Sequence, residues 1–155
     1  GMHHSLVTAE TQILANIGTL GGSPTFAVVA ASNVAQGAAA LAVMYLMKRN
    51  AKMKSLASAA GVSALLGITE PAVFGVNLKF KYPFIGALIG SAVASAYCTF
   101  MQVLSVSPGP AGIPGVIVIR PESMIQYMVT LVIAFVIGFI ATVILAKLFN
   151  KKQNV

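Results

Sequence analysis

The chain has 155 residues, of which 57% are apolar and only 8% carry a charged side chain, against about 25% charged in an average soluble domain. Its formal charge of +7 comes from 10 basic and 3 acidic residues, and the basic ones gather at the ends of apolar runs instead of forming a surface that tracks phosphate. An ordinary water-soluble globule and a nucleic-acid-binding domain are both excluded, which leaves an integral membrane chain of the all-α class.

Taken in chain order, Gly1 to Leu20 carries His3, His4, Glu10, Gln12 and Asn16 and is too polar for a lipid-facing span. It reads as a possible re-entrant segment. The start Gly1-Met2-His3-His4 lacks the basic leader and apolar core of a signal peptide. After the breaker cluster Gly21-Gly22-Ser23-Pro24 comes the first expected span, Phe26 to Met47, uncharged and rich in Ala and Val. Ser32, Asn33, Gln36 and Gly37 make it less greasy than a lipid-facing helix should be, so it is expected to face protein. A basic cluster follows, with Lys48, Arg49, Lys52 and Lys54.

The next stretch does not fit two crossings. Ser55 to Thr69 is uncharged but short, Glu70-Pro71 follows at once, and Lys79 and Lys81 close the segment. Since Lys and Arg mark cytoplasmic ends, the chain must enter the membrane and return on the same side. The expected form is a re-entrant hairpin, descending over Ser55 to Leu66, turning near Gly67 to Pro71 and returning through Phe74 to Phe80. A second span is expected over Phe84 to Val106, ending at Ser107-Pro108-Gly109-Pro110-Ala111-Gly112, a run that cannot continue a helix. The third, Ser123 to Ala146, is the most apolar and is long enough to cross a hydrocarbon core of about 30 Å at about 1.5 Å per residue. Lys147, Lys151 and Lys152 fix its end as cytoplasmic.

Glu70 is the strongest chemical signal. A carboxylate within a long apolar region is expensive to place and marks a functional site by default; the plainer reading is an acid at a loop mouth paired with Lys79 or Lys81. His3 and His4 are open between a tag, structural hydrogen bonding and acid-base work, for which a neutral imidazole beside a polar substrate is suited. Asn33, Gln36 and Asn77 offer amide donors and acceptors either to a polyhydroxyl ligand or to a neighbouring helix. Cys98 lies in an uncharged run with no base adjacent and reads as a buried small residue. With no Asp and one Cys the chain is poor in metal ligands. No phosphate-cradling Gly-rich loop, Ser-His-Asp spacing or CxxC is present. No cofactor or metal site is therefore expected, and any phosphoryl group must come from another protein or domain.

The run GITEPAVFGVNLKFKYPF (Gly67 to Phe84), the opening GMHHS with ETQ after it (Glu10 to Gln12), and SNVAQGAAALAV (Ser32 to Val43) resemble the membrane IIC domain of the bacterial phosphoenolpyruvate-dependent sugar phosphotransferase system. Within that system the similarity is to the sucrose branch of the glucose and glucoside group, with trehalose and β-glucoside carriers as neighbours. The resemblance runs from Gly1 to about Leu148, and its GITEP segment is specific. It implies a C-terminal portion of a IIC domain over residues 1–148, followed by a cytoplasmic tail over 149–155. That portion would hold about three transmembrane helices and one or two re-entrant hairpins of a domain with about ten membrane segments, the remainder preceding Gly1.

The implied protein is a dimeric multi-pass permease of the bacterial inner membrane. It would carry sugar while a IIB domain, supplied with phosphate by IIA and HPr, phosphorylates it. The resemblance gives Glu70 the role of binding sugar hydroxyls at the hairpin tip. To His3 or His4 it gives a place near the hydroxyl that receives the phosphoryl group; Asn77 lies in the matching run and is a candidate sugar-binding residue. The chain lacks the IIB domain and its phosphocysteine, so it is not expected to phosphorylate sugar alone. The rival expectation is half of a proton-coupled secondary transporter with Glu70 as the coupling acid.

Overall fold

The computed structural model describes residues 8, 11–13, 15–16, 22–47, 50–107 and 109–153. Its first long helix, α1 (Thr25–Leu46), buries alanines on every side, among them Ala27, Ala30, Ala31, Ala35, Ala38, Ala39 and Ala42. Successive helical residues step round the axis by about 100°, so burial at neighbouring positions means that α1 is surrounded. An alanine surface allows this, because it lets three neighbours approach the backbone at once. The expectation that this span faces protein is met.

The helical hairpin that follows α1 consists of α2 (Ala51–Leu65), α3 (Glu70–Ala72), a π-helical turn Val73–Asn77 and α4 (Leu78–Phe80). Two further long helices, α5 (Tyr82–Phe100) and α6 (Met124–Gln153), complete the fold. Three helical segments, Thr25–Leu46, Tyr82–Phe100 and Pro121–Phe149, are long and apolar enough to cross a membrane, and the last is the least buried of the three. Among the described residues there is no β-sheet, only isolated bridges from Ser105 to Ser23 and to Ile119. Those bridges gather the start of α1, the end of α5 and the approach to α6 at one end of the bundle. At the opposite end the rings of Tyr82 and Phe149 meet at 6.1 Å between centroids. α6 continues without a break through Leu148 and Phe149 to Gln153, so the expected tail begins as helix.

Helices α5 and α6 run antiparallel on a seam of small residues. A Cβ built on Gly90 would lie 2.7 Å from the Gly138 Cα, and one on Gly86 would lie 2.8 Å from the Thr142 nitrogen. Gly138 in turn faces the Ala35 carbonyl of α1. Such close approach replaces the hydrophobic effect, which is absent between helices in lipid, with van der Waals contact. The Thr142 hydroxyl donates to the Gly138 carbonyl at 2.7 Å within its own helix, so this hydroxyl is satisfied where it meets Gly86.

The second span stops at Phe100, short of the expected Val106. The cause is a Schellman ending: the N–H of Gln102 bonds to the Thr99 carbonyl at 3.1 Å and that of Val103 to the Cys98 carbonyl at 3.2 Å. Gln102 takes the left-handed position with φ 49°, a place usually filled by glycine.

Two outcomes follow for thermal unfolding of the intact membrane protein in detergent. Gly90→Leu should lower stability by about 1–3 kcal/mol through overpacking. Gln102→Gly should leave stability unchanged or raise it by up to about 1 kcal/mol, because the left-handed conformation is unfavourable for a residue with a Cβ.

Candidate functional site

The hairpin begins at Asn50, whose Oδ1 accepts a hydrogen bond from the Met53 N–H at 3.0 Å and caps α2. α2 lies against α1 where two glycines meet: a Cβ on Gly37 would sit 2.9 Å from the Gly61 carbonyl. At its end the chain closes a second Schellman motif. Gly67 adopts φ 103°, its N–H bonds to the Ala64 carbonyl at 3.0 Å, and the Ile68 N–H bonds to the Ser63 carbonyl at 3.0 Å. The Ser63 hydroxyl donates to the Ile68 carbonyl at 3.0 Å. Helix resumes at once, with Glu70 in its first turn and Pro71 beside it, where proline fits because an unbonded N–H is expected there anyway. Gly67-Ile68-Thr69-Glu70-Pro71 is thus a helix stop fused to a helix start.

The turn lies level with the middle part of α1. A Cβ on Gly67 would lie 3.1 Å from the Ala111 carbonyl oxygen, and that oxygen accepts a hydrogen bond from the Asn33 Nδ2 at 2.6 Å. Asn33 stands about 12 Å along α1 from its first residue at about 1.5 Å per residue. The hairpin therefore enters and leaves at the Lys52 and Lys79 end and turns beside the middle of a spanning helix, as expected for a re-entrant element.

Glu70 is exposed at this turn and, among the described residues, pairs with neither Lys79 nor Lys81. Both lysines lie further along the return arm, about 13 Å or more at about 1.5 Å per residue. The loop-mouth ion pair that the sequence left open is not formed. At the far end of the hairpin, Lys52 and Lys79 line a cleft of about 230 Å³ with Asn50, Met53 and Leu56.

The amides have a different fate. Asn77 has no exposed surface, and its Nδ2 donates to the Gln36 carbonyl at 3.0 Å and to the Gln36 Oε1 at 2.7 Å. Its own Oδ1 is buried with no partner among the described residues. The π-turn explains how Asn77 comes to face α1, since one extra residue in the turn rotates all that follows by about 100°. Asn33, Gln36 and Asn77 are all engaged within the protein, and Asn77 supports the return arm from behind instead of lying beside Glu70. Cys98 is buried in α5 as a free thiol. His3, His4 and Glu10 lie outside the described residues.

Sequence reasoning missed Tyr127. Its hydroxyl donates to the Gly112 carbonyl at 2.7 Å in a fully buried position. The advance signal was a tyrosine within a mostly apolar run.

Comparison with known proteins identifies relatives over most of the chain. The family described as Phosphotransferase system, EIIC matches residues 1–91. The sucrose-specific EIIBC component of Staphylococcus xylosus is 57% identical over 79% of this chain and 26% of its own length. The corresponding sucrose-specific protein of Vibrio alginolyticus is 51% identical over 94% of this chain and 30% of its own length. The trehalose-specific EIIBC component of Bacillus subtilis is 38% identical over 97% of this chain and 32% of its own length. The chain thus spans about a quarter to a third of the length of these relatives. No solved structure gives a significant match.

Replacement at the hairpin turn tests the geometry directly. Gly67→Ala should lower thermal stability by about 1–2 kcal/mol, since it forces a Cβ into left-handed backbone. Asn77→Leu should lower it by about 1–3 kcal/mol by leaving Gln36 without its donor. Both are read by unfolding of the intact protein in detergent.

Proposed function

The chain belongs to the EIIC family of the phosphotransferase system, and on that premise we propose that it supplies part of the sugar-translocating membrane unit of a permease. The proposed cargo is a disaccharide, sucrose, bound during uptake and presented to a IIB domain for phosphorylation. The carrying observation is Glu70: an exposed carboxylate, unpaired among the described residues, on a tight backbone turn packed against the 111–112 backbone.

The chemistry suits a polyol. An ionised carboxylate only accepts hydrogen bonds, and its two oxygens can take two neighbouring hydroxyl donors. Charge-assisted bonds of this kind are about twice as strong as neutral ones, so one acid can orient a neutral sugar without a counter-ion. Asn77 contributes indirectly, by fixing the return arm on which Glu70 stands. His3 or His4 accepts the proton from the sugar hydroxyl as its oxygen attacks phosphorus and the bond to the IIB phosphocysteine sulfur breaks. Catalysis of such transfer is mainly positioning and charge stabilisation.

The phosphorylated IIB domain, charged through HPr and IIA, docks at the basic end of the hairpin. Lys52 and Lys79 there present positive charge beside an open cleft. The permease works as a homodimer through EIIC in the bacterial inner membrane. Support for sucrose over another glucoside comes from the names of the relatives; support for a sugar of this class comes from the family itself.

Transport in vesicles of the intact carrier tests the reading, with labelled sucrose and with or without phosphorylated IIB. Donor-dependent sucrose phosphate inside is the expected result. Free sucrose driven by a proton gradient would overturn it and make Glu70 a coupling acid. Glu70→Gln should weaken sucrose binding at least about 100-fold, the scale on which a site loses ligand when a charged, hydrogen-bonded partner is removed. Its thermal stability should stay near that of the parent.

A further inference from the structure

The connection between α5 and α6 does not close at the membrane surface. Its base is a small backbone clasp, in which Val106 N–H bonds to the Val118 carbonyl at 2.9 Å and Arg120 N–H to the Leu104 carbonyl at 3.2 Å. From that base the chain runs inward to Ala111 and Gly112 and returns through a 3₁₀ segment, Ile113–Val118. This inward excursion meets the hairpin turn from the opposite side of the bundle.

Two features make the meeting specific. The first is backbone proximity that leaves no room for a side chain. A Cβ on Gly112 would collide with the Leu65 carbonyl oxygen and lie 2.9 Å from the Gly67 nitrogen, while one on Gly67 would lie 3.1 Å from the Ala111 carbonyl oxygen. The second is that both carbonyls at the loop tip are held by side chains from spanning helices: Asn33 of α1 donates to Ala111 at 2.6 Å, and Tyr127 of α6 donates to Gly112 at 2.7 Å. An apolar cleft of about 220 Å³, lined in part by Val34, Leu65, Ile113, Leu131 and Phe135, flanks the junction. In such surroundings a lost hydrogen bond is not readily replaced by water.

We propose that Asn33 and Tyr127 are positioning residues for sugar binding, which pin the 109–115 loop against the Gly67 turn and so fix the carboxylate of Glu70. The inference rests on the reading of Glu70 as the sugar-binding acid. Neither side chain needs to touch the ligand. Glu70 follows Gly67 by less than one helical turn, so movement of the turn is movement of the carboxylate. If the loop were released, the turn would lose the backbone surface on which it rests, and the free carrier would spend part of its time with Glu70 displaced. Affinity then falls by the fraction of the population that is competent.

The test uses the intact carrier in lipid nanodiscs, with Asn33→Leu, Tyr127→Phe and Glu70→Gln as variants. Sucrose affinity, the dependence of IIB-driven phosphorylation on sucrose concentration, and amide hydrogen exchange are measured on each. Asn33→Leu and Tyr127→Phe should each weaken sucrose binding about three- to tenfold, the range set by one net hydrogen bond. The change should fall mainly on KM and less on turnover at saturating sugar. Exchange should accelerate at residues 109–113 and also at 66–70, a transmitted effect that loss of local loop structure alone does not produce.

Faster exchange confined to 109–113, with normal sucrose affinity, overturns the positioning role. Normal affinity in Glu70→Gln overturns the sugar-site reading and this proposal with it, and is distinguished because exchange at 66–70 still responds to the loop variants. Should Asn33→Leu fail to accumulate in the membrane, Tyr127→Phe, which removes a single hydroxyl, carries the test.

Discussion

A chain that reverses direction inside an apolar layer must find a partner for each peptide group without help from water, at several kcal/mol for each failure. Two reversals here meet that demand by different means. The hairpin turn is satisfied locally, its N–H groups folded back onto the carbonyls of Ser63 and Ala64 with glycine in the left-handed position. The 109–115 loop has local bonds too, from Gly112 N–H to the Pro110 carbonyl and from Gly115 N–H to the Gly112 carbonyl, but its Ala111 and Gly112 carbonyls are also held from outside by Asn33 and Tyr127. A self-contained turn can move as a unit; a loop tied to two spanning helices stays with the bundle. The two elements in contact are therefore one body that is free in principle to shift and one that is anchored.

What the bundle anchors to is α1, and small residues make that possible. Gly37 admits α2, and Ala35 admits α6 at Gly138. The crossing of α5 on α6 uses Gly86 and Gly90 in the same way. Close backbone contact of this type is rigid, because there is no flexible side chain to absorb displacement. Rigidity in the frame is what allows polar groups at the turn to be placed by single hydrogen bonds.

The spans and the hairpin were legible because charge is so scarce. A lysine stands at one end of each spanning run, and a segment too short to cross twice between Lys54 and Lys79 has few alternatives to turning back. The end of α5 was not legible, since Gln102 gives no hint that it will adopt the left-handed backbone in a place where glycine is usual. Nor was the engagement of Asn77 with Gln36, because the π-turn that rotates Asn77 toward α1 has no sequence signature. Glycine and proline between Ser107 and Gly112 correctly marked a helix break, but breaker residues say where a helix stops and not whether the loop lies outside the bundle or folds back into it.

The distribution of polar groups around Glu70 agrees with the polyol ligand proposed for it. Among the described residues no cluster of three or more His, Cys, Asp or Glu surrounds Glu70, whereas proteins usually hold hard cations with several carboxylates. The candidate amides Asn33, Gln36 and Asn77 are turned into the protein to hold backbone or one another. Among the described residues, what remains at the turn is one strong acceptor on a well-fixed backbone. A neutral molecule with adjacent hydroxyl donors satisfies such a group without adding charge to the membrane interior, whereas a lone monovalent cation would gain one ligand and lose most of its hydration. The positional accuracy supplied by the two meeting turns has most value for the former, because directional hydrogen bonds weaken steeply when their geometry is off.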